Sequence, residues 1–97
     1  MPIWKLPAVT DRKAIAKYIS RDNPVAAVEL VDLLIDKAVM LDENPKIGRP
    51  GRMKGTREWL IYPHYVIVYH LTGKPLRVEI LRVKHTAQQW PPTKKIG

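Results

Sequence analysis

The sequence predicts an α+β fold: an N-terminal strand, an α-helical hairpin, and a mainly antiparallel β-sheet packed against it as a two-layer sandwich. Three observations predict it. Apolar residues recur at helical spacing up to about residue 41 and alternate with period two after residue 57. Between these regimes Pro45, Gly48, Pro50, Gly51 and Gly55 crowd into one segment that holds no long helix. The 97 residues suffice for one core and one domain, expected over residues 1–92, with 93–97 as a mobile basic tail.

Each element follows from its residues. Ile3-Trp4-Lys5-Leu6 reads as a short strand closed by Pro7, which has no N–H to give a ladder. Thr10 and Asp11 are candidate caps for a helix to Ser20 with Ala14, Ile15, Tyr18 and Ile19 on its apolar side. Asp22-Asn23-Pro24 stops it and starts a second helix, with Asn23 as cap and Pro24 in the first turn. That helix runs to about Leu41, before Asp42-Glu43-Asn44-Pro45, and its core stripe is Ala27, Val31, Leu34, Ala38 and Leu41. Ala26, Leu33 and Met40 form a second apolar line beyond the wedge of Glu29, Asp32 and Asp36. Either the end of the same chain or a partner covers such a line.

Three strands are expected after the loop, at Arg57–Tyr62, Tyr65–Leu71 and Leu76–Lys84, joined by the turns Pro63-His64 and Thr72-Gly73-Lys74-Pro75. Both faces of the Tyr65 strand are largely apolar, which makes it central. Adjacent Ile80 and Leu81 put Arg82 where alternation would bury it, so a bulge or a sheet edge is expected there.

Charge divides the chain. Lys plus Arg is 17 and Asp plus Glu is 9, a net of +8. Residues 1–45 carry six basic and seven acidic side chains, a net of −1, whereas residues 46–97 carry eleven basic residues against Glu58 and Glu79, a net of +9. The second half suits a nucleic acid or an acidic protein. No cysteine is present, which excludes disulfide scaffolds, thiolate zinc sites and cysteine nucleophiles. With no signal-peptide pattern and no long apolar run, a soluble cytoplasmic protein is expected, without a membrane span. The spacing of the three histidines suits no metal, and no cofactor motif is found.

Arg52, Lys54, Arg57 and Arg77 fall on the basic half, as do Arg82, Lys84 and His85. If Arg57 and Arg82 occupy neighbouring strands, they line one basic cradle, which either binds phosphates or stabilises a phosphorane in RNA cleavage. His85 is the candidate general acid or base. Trp59, Tyr62, Tyr65 and Trp90 could stack bases or pack in a core.

Read in order, Asp22-Asn23-Pro24, Asn44-Pro45, Gly48-Arg49-Pro50, Gly55-Thr56-Arg57-Glu58, Tyr65-Val66-Ile67-Val68-Tyr69 and Ile80-Leu81-Arg82-Val83-Lys84-His85 with Gln89-Trp90-Pro91 resemble the RelE/ParE superfamily. These are bacterial toxins of type II toxin–antitoxin modules, also called plasmid stabilisation proteins. The resemblance covers about residues 3–92 and implies the fold read above. RelE-type members cleave mRNA on the ribosome and carry an Arg directly after the first Tyr of the Tyr-x-x-x-Tyr strand; this chain has Val66 there. Of the lysine pair on the preceding strand one position matches Arg57 and the other Trp59, while the basic and Tyr positions of the C-terminal segment align with Thr86 and Pro92.

The Gly55-Thr56-Arg57-Glu58 and His85 pattern is more similar to the ParE branch, whose better-known members poison DNA gyrase without cutting. The resemblance therefore implies a growth-inhibiting toxin, an inhibitor rather than an enzyme, neutralised by a small antitoxin with an acidic tail. Its target surface would include Arg52, Lys54, Arg57, Arg77, Arg82, Lys84, His85 and Trp90, and its antitoxin surface Ala26, Leu33 and Met40. Two alternatives stay open: a ribosome-dependent mRNA endonuclease acting through Arg57, Arg82 and His85, and a non-toxic nucleic-acid-binding module.

Overall fold

Pro7 sits in the first turn of a helix, where its missing N–H removes only a donor that has no partner there anyway. In the computed structural model, which describes residues 1–61 and 63–87, the chain starts with β1 (Ile3–Trp4) and enters α1 (Leu6–Ser20) directly. Lys5 stays extended as the cap residue, and its carbonyl accepts from the Ala8 and Val9 amides. The helix thus begins five or six residues before the position expected from a cap at Thr10 or Asp11. Pro7 initiates it and frees the Asp11 carboxylate for a tertiary contact.

Helix α2 (Pro24–Glu43) begins as its sequence predicts, with Asn23 Oδ1 accepting from the Ala26 amide at 3.0 Å. Ala27, Leu34, Ala38 and Leu41 are buried and Val31 is half-buried, so the predicted stripe is the core face.

The strands are β2 (Arg49–Pro50), β3 (Arg57–Ile61), β4 (Tyr65–Thr72) and β5 (Arg77–His85), in one sheet of order β1-β5-β4-β3-β2. Strand β4 is central, as its two apolar faces predict. The two-residue β2 was not expected; it pairs antiparallel with β3 through Arg49 opposite Glu58 and Pro50 opposite Arg57. A proline fits there because an edge strand has ladder positions that need no N–H. Strand β1 pairs parallel with β5, Ile3 opposite Glu79 and Trp4 opposite Ile80.

The β4–β5 register slips where Arg82 demanded it. Tyr69 faces Ile80 and Val68 faces Arg82, which leaves Leu81 as the extra residue of a bulge. Both helices lie on one face of the sheet, so Ile61, Ile67, Tyr69, Ile80 and Val83 pack with Leu34 and Leu41. Each such side chain contributes about 1.5–3 kcal/mol by leaving water. This order of layers leaves the other sheet face free of helices and positions the basic loop at its β2–β3 edge.

Candidate functional site: the outer sheet face and its basic loop

Register decides which side chains share the outer face. Leu60 lies opposite Val66 and Val66 opposite Lys84; Glu58 lies opposite Val68 and Val68 opposite Arg82; His70 lies opposite Glu79. The alternate residues, Trp59, Ile61, Tyr65, Ile67 and Tyr69, face the helices.

Glu58 organises the loop. It is the one buried charged residue among those described, only 4% exposed. One carboxylate oxygen accepts from the Arg52 amide at 3.0 Å, and the other meets the Arg49 guanidinium at 3.3 Å. Arg52 Nε lies 3.9 Å from that second oxygen. A buried carboxylate persists only with such partners.

Arg57 supports the same loop from the other side. Its Nη1 donates to the Gly48 carbonyl at 2.7 Å and to the Lys46 carbonyl at 3.3 Å. Tyr69, fully buried, donates its hydroxyl to the Pro45 carbonyl at 2.8 Å and accepts from the Gly48 amide at 2.9 Å. Burial pushes the Tyr69 phenol up, against the lowering effect of the Gly48 amide and Arg57. A Cβ at Gly48 would stand 2.7 Å from that hydroxyl oxygen, so only glycine fits. The motifs Gly48-Arg49-Pro50 and Gly55-Thr56-Arg57-Glu58 are therefore the parts of one hydrogen-bonded fold-back.

Arg82 is paired across the sheet edge. Its Nε and Nη2 bond the two Asp11 oxygens at 2.7 and 2.9 Å, and the Val83 amide donates to the same carboxylate at 2.9 Å. Strand β1 stops pairing at Ile80, and Asp11 takes over as acceptor for the β5 edge beyond it. Burial pushes the Asp11 carboxyl up, but the Arg82 bonds, the Val83 amide and the nearby Lys84 charge outweigh it and hold it below the usual carboxylate range. On the outer face His70 Nε2 meets Glu79 Oε1 at 2.8 Å, and this bond is the main cause that holds the Glu79 carboxyl low.

Arg57 and Arg82 do not occupy neighbouring strands: β4 lies between β3 and β5. The shared cradle expected from sequence is absent, because the hairpin order interposes β4 and each guanidinium is held by its own partner. His85 lies elsewhere again. Opposite Tyr65, it stacks on His64 at 5.4 Å, meets Tyr65 edge-on at 5.3 Å, and accepts from the Ala87 amide through Nδ1 at 3.0 Å. Together with Tyr65, whose phenol burial pushes up, it borders a cavity of about 370 Å³ against Ala14, Ile15, Tyr18 and Ile19 of α1.

Lys54 is exposed in the loop, Arg77 is exposed at the start of β5, and Lys84 is half-buried beside Val66. Trp59 is half-buried with the Lys37 ammonium 5.7 Å from its ring. Tyr62, Trp90 and the tail lie outside the described residues.

Arg49, Leu60 and Val66 were not among the predicted binding residues, yet they line one cleft with Arg52, Glu58 and Trp59, about 470 Å³ in volume. The available signal was Glu58 itself, one of two acids in a half with eleven bases. An isolated acid in such surroundings attracts several arginines.

On α2, Ala26 is half-buried while Leu33 and Met40 are 37% and 38% exposed. Val28, Ile35 and Val39 are also exposed, on the opposite flank of the Glu29–Asp32–Asp36 wedge. No helix among the described residues is long and apolar enough to cross a membrane.

A two-helix layer on a five-stranded mixed sheet is a ParE-like α+β fold. The chain belongs to the ParE toxin family of type II toxin–antitoxin systems: the family described as "ParE toxin of type II toxin-antitoxin system, parDE" matches residues 3–90. It is 40% identical over 89 residues to the Sinorhizobium fredii protein named "Putative toxin Y4kP", covering 91% of this chain and 90% of that one.

Two solved structures share the fold. The "Chromosomal ParDE TA system from P. aeruginosa" superposes with a TM-score of 0.76 at 24% identity, over 88% of this chain and 95% of that one. The "YoeB/ParE toxin from Agrobacterium tumefaciens" does so with a TM-score of 0.61 at 20% identity, over 88% and 98%.

Proposed function

We propose that the protein is a growth-arresting toxin that binds and poisons DNA gyrase in the cytoplasm without cutting nucleic acid, and that a cognate antitoxin silences it. The observation that carries the non-nuclease part is the engagement of the candidate catalytic groups. Arg57 holds loop carbonyls, Arg82 holds Asp11, and His85 Nδ1 takes a backbone amide, all at different places in the fold. A phosphoryl-transfer site needs such groups converging on one atom. Val66 adds an apolar side chain to the middle of the outer face. Type II membership and a relative solved as a ParDE system support the antitoxin. Its contact surface is the α2 line of Ala26, Leu33 and Met40, and its acidic tail is drawn to the basic half by charge.

Side-by-side assays test this reading. The purified protein should inhibit gyrase supercoiling and leave translated mRNA uncut in primer-extension mapping. His85→Ala should remain as toxic as the native chain on induction. Discrete cuts in translated mRNA, abolished by His85→Ala, would establish the endonuclease instead. Normal growth on induction without an antitoxin would favour the non-toxic binding module.

A further inference from the structure

The cleft beside the loop has a chemistry of its own. Its floor is apolar: Leu60 is 52% exposed, and Val66 lies next to it across the β3–β4 pair. Its rim is basic: the Arg49 and Arg52 side chains are 67% and 59% exposed, whereas the Glu58 side chain that gathers them is 3% exposed. Two guanidiniums gather on one carboxylate, so the rim is net positive, and Lys84 stands beside Val66 on the same face.

The shape and charge do not suit a nucleic-acid strand. A bound strand stacks its bases on aromatic rings, whereas the floor here is an exposed leucine against a valine. They suit a protein segment with an apolar side chain and a carboxylate next to it.

We propose that this cleft is the docking site for an acidic segment of the toxin's protein target. An apolar side chain seats on Leu60 and Val66, and its neighbouring carboxylate is held by Arg49 and Arg52. Glu58 is a positioning residue: by clamping the Arg52 amide and the Arg49 guanidinium it orders the rim before the partner arrives, which lowers the entropic cost of binding. The proposal rests on the reading that the chain acts by binding a protein; which protein is left to the gyrase assay.

The test uses the full chain, ¹⁵N-labelled, titrated with a peptide whose central leucines are flanked by aspartates. Shifted amide signals should centre on Arg49, Arg52, Leu60 and Val66, and added salt should weaken binding. Leu60→Asp should weaken it by about tenfold or more, as expected for losing a buried leucine contact and adding a like charge to the ligand's. Leu60→Ser, milder for the fold, should weaken it about tenfold while the remaining amide signals and the melting temperature stay in place.

A control peptide with serine for leucine should bind as weakly as the Leu60→Ser variant binds the leucine peptide. Equal binding of both peptides, or shifts that centre elsewhere, would overturn the proposal. So would an oligouridylate that binds the cleft more tightly than the leucine peptide, since that outcome makes the face a nucleic-acid interface. Peptide binding that survives while gyrase supercoiling is untouched would leave this site in place and remove only gyrase as its owner.

Discussion

Asp11 joins α1 to β5 across 71 residues of sequence, and its side chain is only 14% exposed. It accepts two bonds from Arg82 and one from the Val83 amide, so its loss removes two bonds from a half-buried guanidinium and one from an edge amide together. An exposed ion pair contributes ~0–1 kcal/mol. Here we expect Asp11→Ala to cost about 2–4 kcal/mol, readable by urea denaturation. The pH dependence follows from the lowered carboxyl. Its contribution is complete from about pH 5 upward, above the ordinary aspartate value, and is lost as pH falls through the lower folded value. Stability should therefore drop from pH ~5 downward, and Asp11→Asn should flatten that slope. Glu79, also held low, gives a residual slope of the same sign that persists in the variant. An Asp11→Asn protein with an unchanged acid limb would refute the assignment. Asp11 was legible as a helix-start residue but not as a tertiary ligand, because its partner's position depends on a bulge far along the chain.

Among the elements, the loop between α2 and β3 is the one whose order is least expected from its composition. Glycine and proline argue for a mobile connection, yet three side chains from the sheet pin it: Tyr69 at Pro45 and Gly48, Arg57 at Lys46 and Gly48, and Glu58 at Arg49 and Arg52. Tyr69→Phe keeps the ring in the core and removes only the hydroxyl. It leaves a carbonyl and an amide without that partner, so it should cost about 1–3 kcal/mol. Amide exchange at Gly48 should accelerate in parallel, measured by hydrogen-exchange NMR; unchanged protection there would refute the anchoring role. Helix α2, by contrast, was read almost whole: Asn23 caps it, Pro24 opens it, and the stripe at spacing four and three is the buried one. Period and capping chemistry are local, and so they are visible in sequence.

On the scale of the whole molecule, two surfaces lie on opposite sides of the sheet. The exposed α2 line belongs to the helical layer, and the cleft of Leu60 and Val66 belongs to the uncovered face. Loss of function should therefore separate. Leu33→Asp should weaken antitoxin binding about tenfold or more in calorimetry, with circular dichroism and target inhibition unchanged. Unaltered antitoxin affinity would place that interface elsewhere.

Sequence alone determined the two-layer α+β class, the second helix with its cap, the central β4, the break in alternation at Arg82 that a bulge or a sheet edge resolves, and the division of charge into a −1 and a +9 half. Each of these rests on spacing or composition, which a chain carries before it folds. Only the tertiary structure decided that β1 runs parallel beside β5, that β4 separates Arg57 from Arg82, and that a buried Glu58 gathers two of the arginines that make the half basic. Those outcomes depend on which distant groups meet, and a residue's charge does not announce its partner. Arg49, Arg52, Arg57 and Arg82 of the basic half are tied into the framework, and a small apolar cleft with a basic rim is left exposed.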